Sequence, residues 1–302
     1  MSDPRETLSW ARPFVRGTVS TTAAALKRVF VDVAIVGYPK CGNTWFSALV
    51  RHLLVAHYGL APERMRRLFV SDLGLLPMPL LRVPRRVPRL YHSHCLPYPR
   101  EKGLRGMRDC LAPFRNTPMI VLIRDCKDAL TSYYMHEVYR ARKPRFAGSV
   151  AEFMRSPVYG VEKFVAYYNL LAKFRRGSNA PTFVTRYETM WSEPETTLRE
   201  NAEFVGIENV PAKRLSWAVA QCSIENMRRM ERAATQATAM VPSLFRAKSA
   251  APEAYKARKG GIGNWRGHIS NEVAAEIDRH VAKHMDPFFH QRAKVSNRTR
   301  TD

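Results

Sequence analysis

Val29 to Val36 (VFVDVAIV) is apolar at every position except Asp32 and is dominated by Val. A run with no polar face predicts a strand buried on both sides, the usual state in a parallel sheet. Met119 to Ile123 (MIVLI) reads the same way, and Thr182 to Arg186 (TFVTR) reads as a third strand. Between and after them the apolar period changes to the helical one. Asn43 to Tyr58 sets Trp45, Leu49, Leu53 and Ala56 on one face. Further helices are expected from about Asp125 to the Tyr139 region, from Val161 to Arg176 (closed by Gly177), from Glu193 to Val205, and from Asn271 to Lys283. Strand alternating with helix predicts an α/β fold: a single domain whose central parallel sheet is flanked by helices on both faces.

The stretch 59–115 breaks the alternation. It carries Pro62, Pro77, Pro79, Pro84, Pro88, Pro97, Pro99 and Pro113 and is rich in Arg. It reads as a long loop-rich insertion rather than a second domain. Residues 230–257, rich in Ala, Ser and Arg, read as a lid, and the polar tail 291–302 as frayed. The first 29 residues read as a basic, partly amphipathic helical extension. Trp10, Phe14, Val15, Leu26 and Val29 are interleaved there with Arg12, Arg16, Lys27 and Arg28, a pattern suited to packing on its own domain or to resting on an anionic membrane. No apolar run approaches the ~18 residues of a membrane span, and no secretory signal is read at the start.

Composition narrows the class. Apolar residues make up 45 % of the 302, enough for a sizeable core, so disorder and fibrous architectures are excluded. Lys plus Arg number 49 against 26 Asp plus Glu, a formal charge of +23, which attracts phosphorylated or sulfated molecules, polyanions or anionic surfaces. Cys41, Cys95, Cys110, Cys126 and Cys222 form no C-x-x-C spacing, which argues against a disulfide framework and a zinc site and suits a reducing, cytoplasmic compartment.

The sharpest chemistry lies between the first strand and its helix, in Gly37-Tyr38-Pro39-Lys40-Cys41-Gly42-Asn43-Thr44-Trp45. The G-x4-G-x-T framework is that of a phosphate loop, in which backbone N–H groups and a helix start face phosphate oxygens. A nucleoside-triphosphatase carries Lys immediately before the Thr; here that residue is Asn43, and the lysine sits earlier, as Lys40. A shorter phosphate chain than that of ATP is therefore expected.

This stretch, PKCGNTW, resembles the 5′-phosphosulfate loop (PKSGTTW) of sulfotransferases that use 3′-phosphoadenosine 5′-phosphosulfate. Val121 to Tyr134 is similar to the family's 3′-phosphate segment, with Arg124 at the strand end and Ser132 eight residues on. Tyr187 in TRYE matches the tyrosine near the adenine. Ser223-Ile224-Glu225-Asn226-Met227 resembles the family's SFxxM segment with Ile224 in place of Phe. Arg258-Lys259-Gly260-Gly261-Ile262-Gly263-Asn264-Trp265 is similar to RKGxxGDW, a second clamp on the 3′-phosphate, with Asn264 in place of Asp. Tyr91-His92-Ser93-His94-Cys95-Leu96-Pro97 is similar to KTHLP of the cytosolic branch; Cys95 interrupts it and His92 stands where Lys is usual.

The resemblance implies a phosphate-loop fold over 30–290, with 59–115 on the acceptor side, and transfer of a sulfuryl group to a hydroxyl or amine with release of adenosine 3′,5′-bisphosphate. It implies His94 as general base, Lys40 as the cation on the leaving phosphate, and His92 and Ser132 as participants. It implies that Lys40, Cys41, Gly42, Asn43, Thr44, Trp45, Arg124, Ser132, Tyr187, Ser223, Met227, Arg258, Lys259 and Gly260 bind the donor, with no metal. Cys41, at a helix start, is a candidate redox-sensitive thiol or a small apolar filler. The charge exceeds what one donor needs, which points to an anionic acceptor such as a glycan or glycolipid alongside small-molecule acceptors. Monomer and homodimer are both open. A small-metabolite kinase and a basic nucleic-acid- or membrane-binding module are the rival readings; no nucleic-acid motif favours the latter.

Overall fold

The computed structural model describes residues 31–61, 69–71, 84, 86–96, 104, 106–141, 144–236 and 260–289. The expected N-terminal extension, most of the lid and the tail lie outside them, as do Arg258 and Lys259. The sheet has five strands, all parallel, in the order β2-β3-β1-β4-β5: β1 Val33–Gly37, β2 Phe69–Ser71, β3 Leu90–Ser93, β4 Met119–Ile123 and β5 Thr182–Arg186. The helices are α1 Asn43–Tyr58, α2 Met107–Leu111, α3 Cys126–Met135, α4 Val150–Arg155, α5 Val161–Arg176, α6 Tyr187–Ser192, α7 Pro194–Phe204, α8 Ala212–Gln221, α9 Ile224–Gln236 and α10 Asn271–His284. None of the helices described is long and apolar enough to cross a membrane.

The pleat of the central strands feeds two cores. Ala34 and Val36 of β1 and Met119, Val121 and Ile123 of β4 join one cluster, with Leu130 and Tyr133 of α3, Phe153 of α4, Phe164 and Leu171 of α5 and Ile277 of α10. Val33, Ile35, Ile120 and Leu122 join the other, with Phe46 and Leu53 of α1, Leu198 of α7 and Leu215 of α8. Successive side chains point to opposite faces, so an unbroken apolar run is what a sheet covered on both sides requires. The expected α/β architecture is therefore present, and α1, α5, β4 and β5 carry the expected bounds.

The stretch 59–115 differs from expectation. It contributes β2 and β3, and β3 is an interior strand between β2 and β1. Its four residues, LYHS, end in His92 and Ser93, so the apolar signal is only two residues long. Three smaller differences follow. The first strand begins at Val33, because Asp32 turns outward into a bidentate pair with Arg89 (2.7 and 3.0 Å). α3 ends at Met135 and passes into a π-helical turn, His136–Arg140. A short helix, α6, occupies the ground between β5 and α7.

At the start of α5, Gly160 sits where a Cβ would lie 2.1 Å from the Met154 carbonyl oxygen and 2.6 Å from that of Ser156. Backbone atoms cannot yield as a flexible side-chain end can. Gly160→Ala is expected to cost about 2 kcal/mol or more, lowering the melting temperature by roughly 4–8 °C; a thermal melt within a degree of wild type would contradict this packing.

Candidate active site

The site is built at the carboxyl ends of β1, β3, β4 and β5. Between β1 and α1 the chain folds on itself: the Cys41 N–H and the Asn43 side-chain amide both donate to the Tyr38 carbonyl (3.3 and 3.0 Å). Tyr38 drives its ring into the core against Tyr133, Phe164 and Tyr167. Gly37 permits the close approach, since a Cβ there would lie 2.8 Å from Asn43 Oδ1 and 2.9 Å from Leu122. Gly42 has φ 88° and lies against the Tyr187 ring. Lys40 adopts φ 73° without being glycine, a strained conformation costing about 1–2 kcal/mol. α1 then starts with no side-chain cap and no acidic residue in its first turn. Its first N–H groups have no helical partner and carry the positive end of the helix dipole.

Arg124, at the end of β4, is the hub. It is 8 % exposed. Nη1 donates to the Lys40 carbonyl (3.3 Å) and Nη2 to the Gly261 carbonyl (3.1 Å). The guanidinium lies 4.0 Å over the Tyr187 ring, and Asp128 Oδ2 is 3.7 Å away. Its Nε is buried with no hydrogen-bond partner among the described residues. Asp128, 1 % exposed, accepts from the Gly263 N–H (2.7 Å) and the Trp265 N–H (3.1 Å). It thereby holds the turn containing Gly260 and Gly261 against the start of α3. That turn needs glycine: Gly260, Gly261 and Gly263 have φ of 66°, 85° and 75°.

Beside Arg124 stands a group of aromatic rings. Trp45 meets Tyr187 and Trp191 edge-on, each at 5.7 Å; Tyr187 and Trp191 are stacked at 6.4 Å. Trp45 Nε1 donates to the Cys222 carbonyl (3.1 Å), joining α1 to the end of α8. Ser223 spends its hydroxyl on capping α9, accepting from the Asn226 N–H (3.2 Å), and Met227 is buried.

On the other side of the loop lie two histidines, their rings 5.5 Å apart. Asn43 gives its amide N–H to Tyr38, so its Oδ1 is the acceptor for His92 Nε2–H at 3.1 Å. His94 Nδ1–H donates to the Gly37 carbonyl (2.8 Å). In the neutral ring the basic nitrogen of His94 is then Nε2. The Tyr167 hydroxyl donates to the His94 carbonyl (2.9 Å), anchoring the backbone.

The structure thus brings together Lys40, Gly42, Asn43, Trp45, Arg124, Tyr187, Gly260, His92 and His94. Thr44 is half-buried in the first turn of α1, and Ser132 half-buried on α3, two turns beyond Arg124. Cys41 takes the second of its two expected roles, the apolar filler. Its N–H is spent on Tyr38, and its thiol is 1 % exposed, in contact with the Tyr168 hydroxyl (3.4 Å). Burial pushes that thiol up to about 12, so it is a core filler and not a reactive thiolate. The Asn43 side chain is spent within the fold, on the Tyr38 carbonyl and His92. Asp128, Tyr167 and Trp191 were not expected. Trp191 carries one sequence signal, its i+4 spacing from Tyr187 on a helix. Among the described residues, no three His, Cys, Asp or Glu side chains form a group able to hold a metal.

A family profile for the sulfotransferase domain matches residues 31–289. Cytosolic sulfotransferase 5 of Arabidopsis thaliana is 26 % identical over 269 residues, covering 82 % of this chain and 77 % of the relative. Flavonol 4′-sulfotransferase of Flaveria chlorifolia is 22 % identical, with the same coverage. Among solved structures, a mouse sulfotransferase complexed with PAP superposes with TM-score 0.57 at 14 % identity, covering 89 % of each chain. A retinol dehydratase in complex with retinol and PAP gives TM-score 0.58 at 16 % identity, covering 90 % of this chain and 86 % of that one.

A thiol with its value near 12 stays protonated across the usable pH range. Iodoacetamide at pH 8 is therefore expected to leave Cys41 unmodified in the native protein and to label it only after denaturation, as read by peptide mass spectrometry. Stoichiometric labelling of native protein would overturn its burial.

Proposed function

The chain belongs to the sulfotransferase family, and on that premise we propose that this site moves a sulfuryl group from 3′-phosphoadenosine 5′-phosphosulfate to an acceptor hydroxyl or amine. Adenosine 3′,5′-bisphosphate (PAP) leaves. The observation that carries the reading is Arg124: a buried guanidinium with an unpaired Nε, at the junction of phosphate loop, glycine turn and aromatic rings. A buried cation with an unused donor suits an anionic oxygen.

In this reading Lys40 and the first N–H groups of α1, at Thr44 and Trp45, take the 5′-phosphate. Arg124 and Ser132, with Arg258 and Lys259, take the 3′-phosphate, and the Gly260 backbone lets it approach. Trp45 and Tyr187 flank the base, with Ser223 and Met227 shaping the pocket wall. His94 Nε2 takes the proton of the acceptor as its oxygen or nitrogen attacks sulfur. The bond from sulfur to the bridging oxygen breaks, and the charge gathering there is met by Lys40. His92 holds Asn43, hence the loop, from the neighbouring strand.

For the acceptor we propose an anionic molecule, such as a charged glycan or one displayed on an anionic surface. The support is the +23 charge, concentrated in part around 64–108 and 140–145. The same excess suits peripheral contact with an anionic membrane face. The relatives named for flavonol and retinol keep small neutral acceptors in the comparison.

PAP at 100-fold its dissociation constant is expected to add about 2.7 kcal/mol, raising the melting temperature by roughly 5–10 °C, whereas ATP with Mg²⁺ gives little. The reverse order would favour the kinase reading. His94→Ala is expected to lower kcat by about 10²–10⁴-fold with PAP affinity retained, and activity near wild type would remove it as the base. A sulfated oligosaccharide is expected to outrun a neutral phenol at low salt and to lose that lead at high salt; equal rates at both would count against an anionic acceptor.

A further inference from the structure

Trp191 is a large apolar side chain left 40 % exposed. Yet one edge of its indole is closely engaged. A Cβ on Gly260 would lie 2.8 Å from its ring and 3.3 Å from Ile224 Cδ1. The indole therefore reaches from α6 across to the glycine turn and to the start of α9. It stacks with Tyr187, whose ring lies under the Arg124 guanidinium, and it meets Trp45. The exposed ring surface thus stands among side chains that the function above assigns to the donor, close to the aliphatic Ile224. We propose, resting on that reading, that Trp191 is a platform on which the adenine of the donor stacks, supplying the aromatic surface that Ile224 lacks. A flat indole offers a π-face to a purine at little entropic cost, and stacking of this kind is worth about 1–3 kcal/mol per base.

The test measures Kd for PAP and for ribose 3,5-bisphosphate, which lacks the base. Wild type is expected to bind both, PAP more tightly. Trp191→Ala should weaken PAP by about 5–150-fold, leave ribose bisphosphate unchanged, and be largely rescued in Trp191→Phe. If Trp191 merely braces Gly260, both ligands weaken together, and if it touches neither, PAP is unchanged; either result overturns the platform. Failure of the wild type to bind PAP would instead overturn the reading beneath it.

An independent observation concerns the two cysteines beside the histidines. Cys95 and Cys110 are 15 residues apart in sequence, yet their sulfurs lie 2.7 Å apart, against about 2.05 Å for a bonded pair. Cys95 is buried; Cys110, on α2, is half-buried. Cys95 directly follows His94 and adopts φ 46°, its N–H held by Ser93 Oγ (2.7 Å). We infer that this pair is an oxidisable dithiol that closes under peroxide and lowers turnover by fixing the His94 segment to α2. Peroxide converts the more accessible Cys110 thiol to the sulfenic acid with loss of water. The Cys95 sulfur then attacks the Cys110 sulfur, the S–O bond breaks and a second water leaves.

Hydrogen peroxide at a few equivalents should give a linked Cys95–Cys110 peptide, 2 Da lighter than the two thiol peptides together, with turnover lost and restored by dithiothreitol. Cys110→Ser should form no link and keep its turnover after the same treatment. Absence of the link, or a linked enzyme with undiminished turnover, overturns the inference.

Discussion

Because β1, β3, β4 and β5 run parallel, their carboxyl ends must emerge at one edge of the sheet, and the register makes that edge level. Val36 pairs with Ser93, Gly37 with Leu122, and Ile123 with Arg186. The residues that follow each strand are Tyr38, His94, Arg124 and Tyr187. Every group of the site except the glycine turn and the start of α9 is delivered by this alignment. Strands on both sides of β1 come from later parts of the chain, so the order reverses there and opens the crevice that α/β sheets use for ligands. A slip of one residue would exchange the two cores and send these side chains to the wrong loops. The two-faced burial of β1 and β4 is what forbids that slip.

Arg124 turns this common edge into one site. Taking a guanidinium out of water costs several kcal/mol. The fold offsets this with two carbonyls, the Tyr187 ring and a carboxylate at 3.7 Å. A ring under a cation contributes about 0.5–2 kcal/mol, and the Asp128 pair is too long for a strong hydrogen bond. Asp128 directs its oxygens to the Gly263 and Trp265 N–H groups. It therefore acts mainly as a strut for the glycine turn. The Arg124 Nε has no hydrogen-bond partner among the described residues, and on the proposed reading a phosphate oxygen supplies one.

How much of this was legible in the sequence follows from the length of each signal. β1 and β4 with α1 and α5 were legible because unbroken apolar runs and helical faces persist over five residues or more, and β5 because Phe183 and Val184 stand among β-favouring threonines between two helical stretches. The phosphate loop was legible because glycine, lysine and threonine have fixed spacings there. β2 and β3 were not, since β3 shows two apolar residues before His92 and lies in a proline-rich context. Cys41 had two readings in the sequence, reactive thiol or apolar filler, and only the Tyr168 hydroxyl covering it decides for the filler. Trp191 and Asp128 escaped notice because their partners, Gly260 and Gly263, are distant in sequence. The Cys95–Cys110 contact likewise depends on how α2 folds back, which no local spacing reveals.

Two hydrogen bonds give the site a coupling that a list of ligands would miss. His92 bonds to Asn43, and His94 bonds to the carbonyl of Gly37. Both acceptors belong to the phosphate loop, while both histidines belong to the end of β3. Asn43 stands where a triphosphatase has lysine, and its side chain spans the gap between the two segments instead of reaching for a phosphate. The loop that would hold the donor therefore also sets the orientation and tautomer of the ring that would deprotonate the acceptor. Each hydrogen bond is individually worth about 1 kcal/mol of stability. Their effect is on angle: rotating His94 off the Gly37 carbonyl would move its basic nitrogen, and in-line transfer tolerates little misalignment. The same tie explains why the phosphate loop is built around Gly37, where no larger residue leaves room for Asn43.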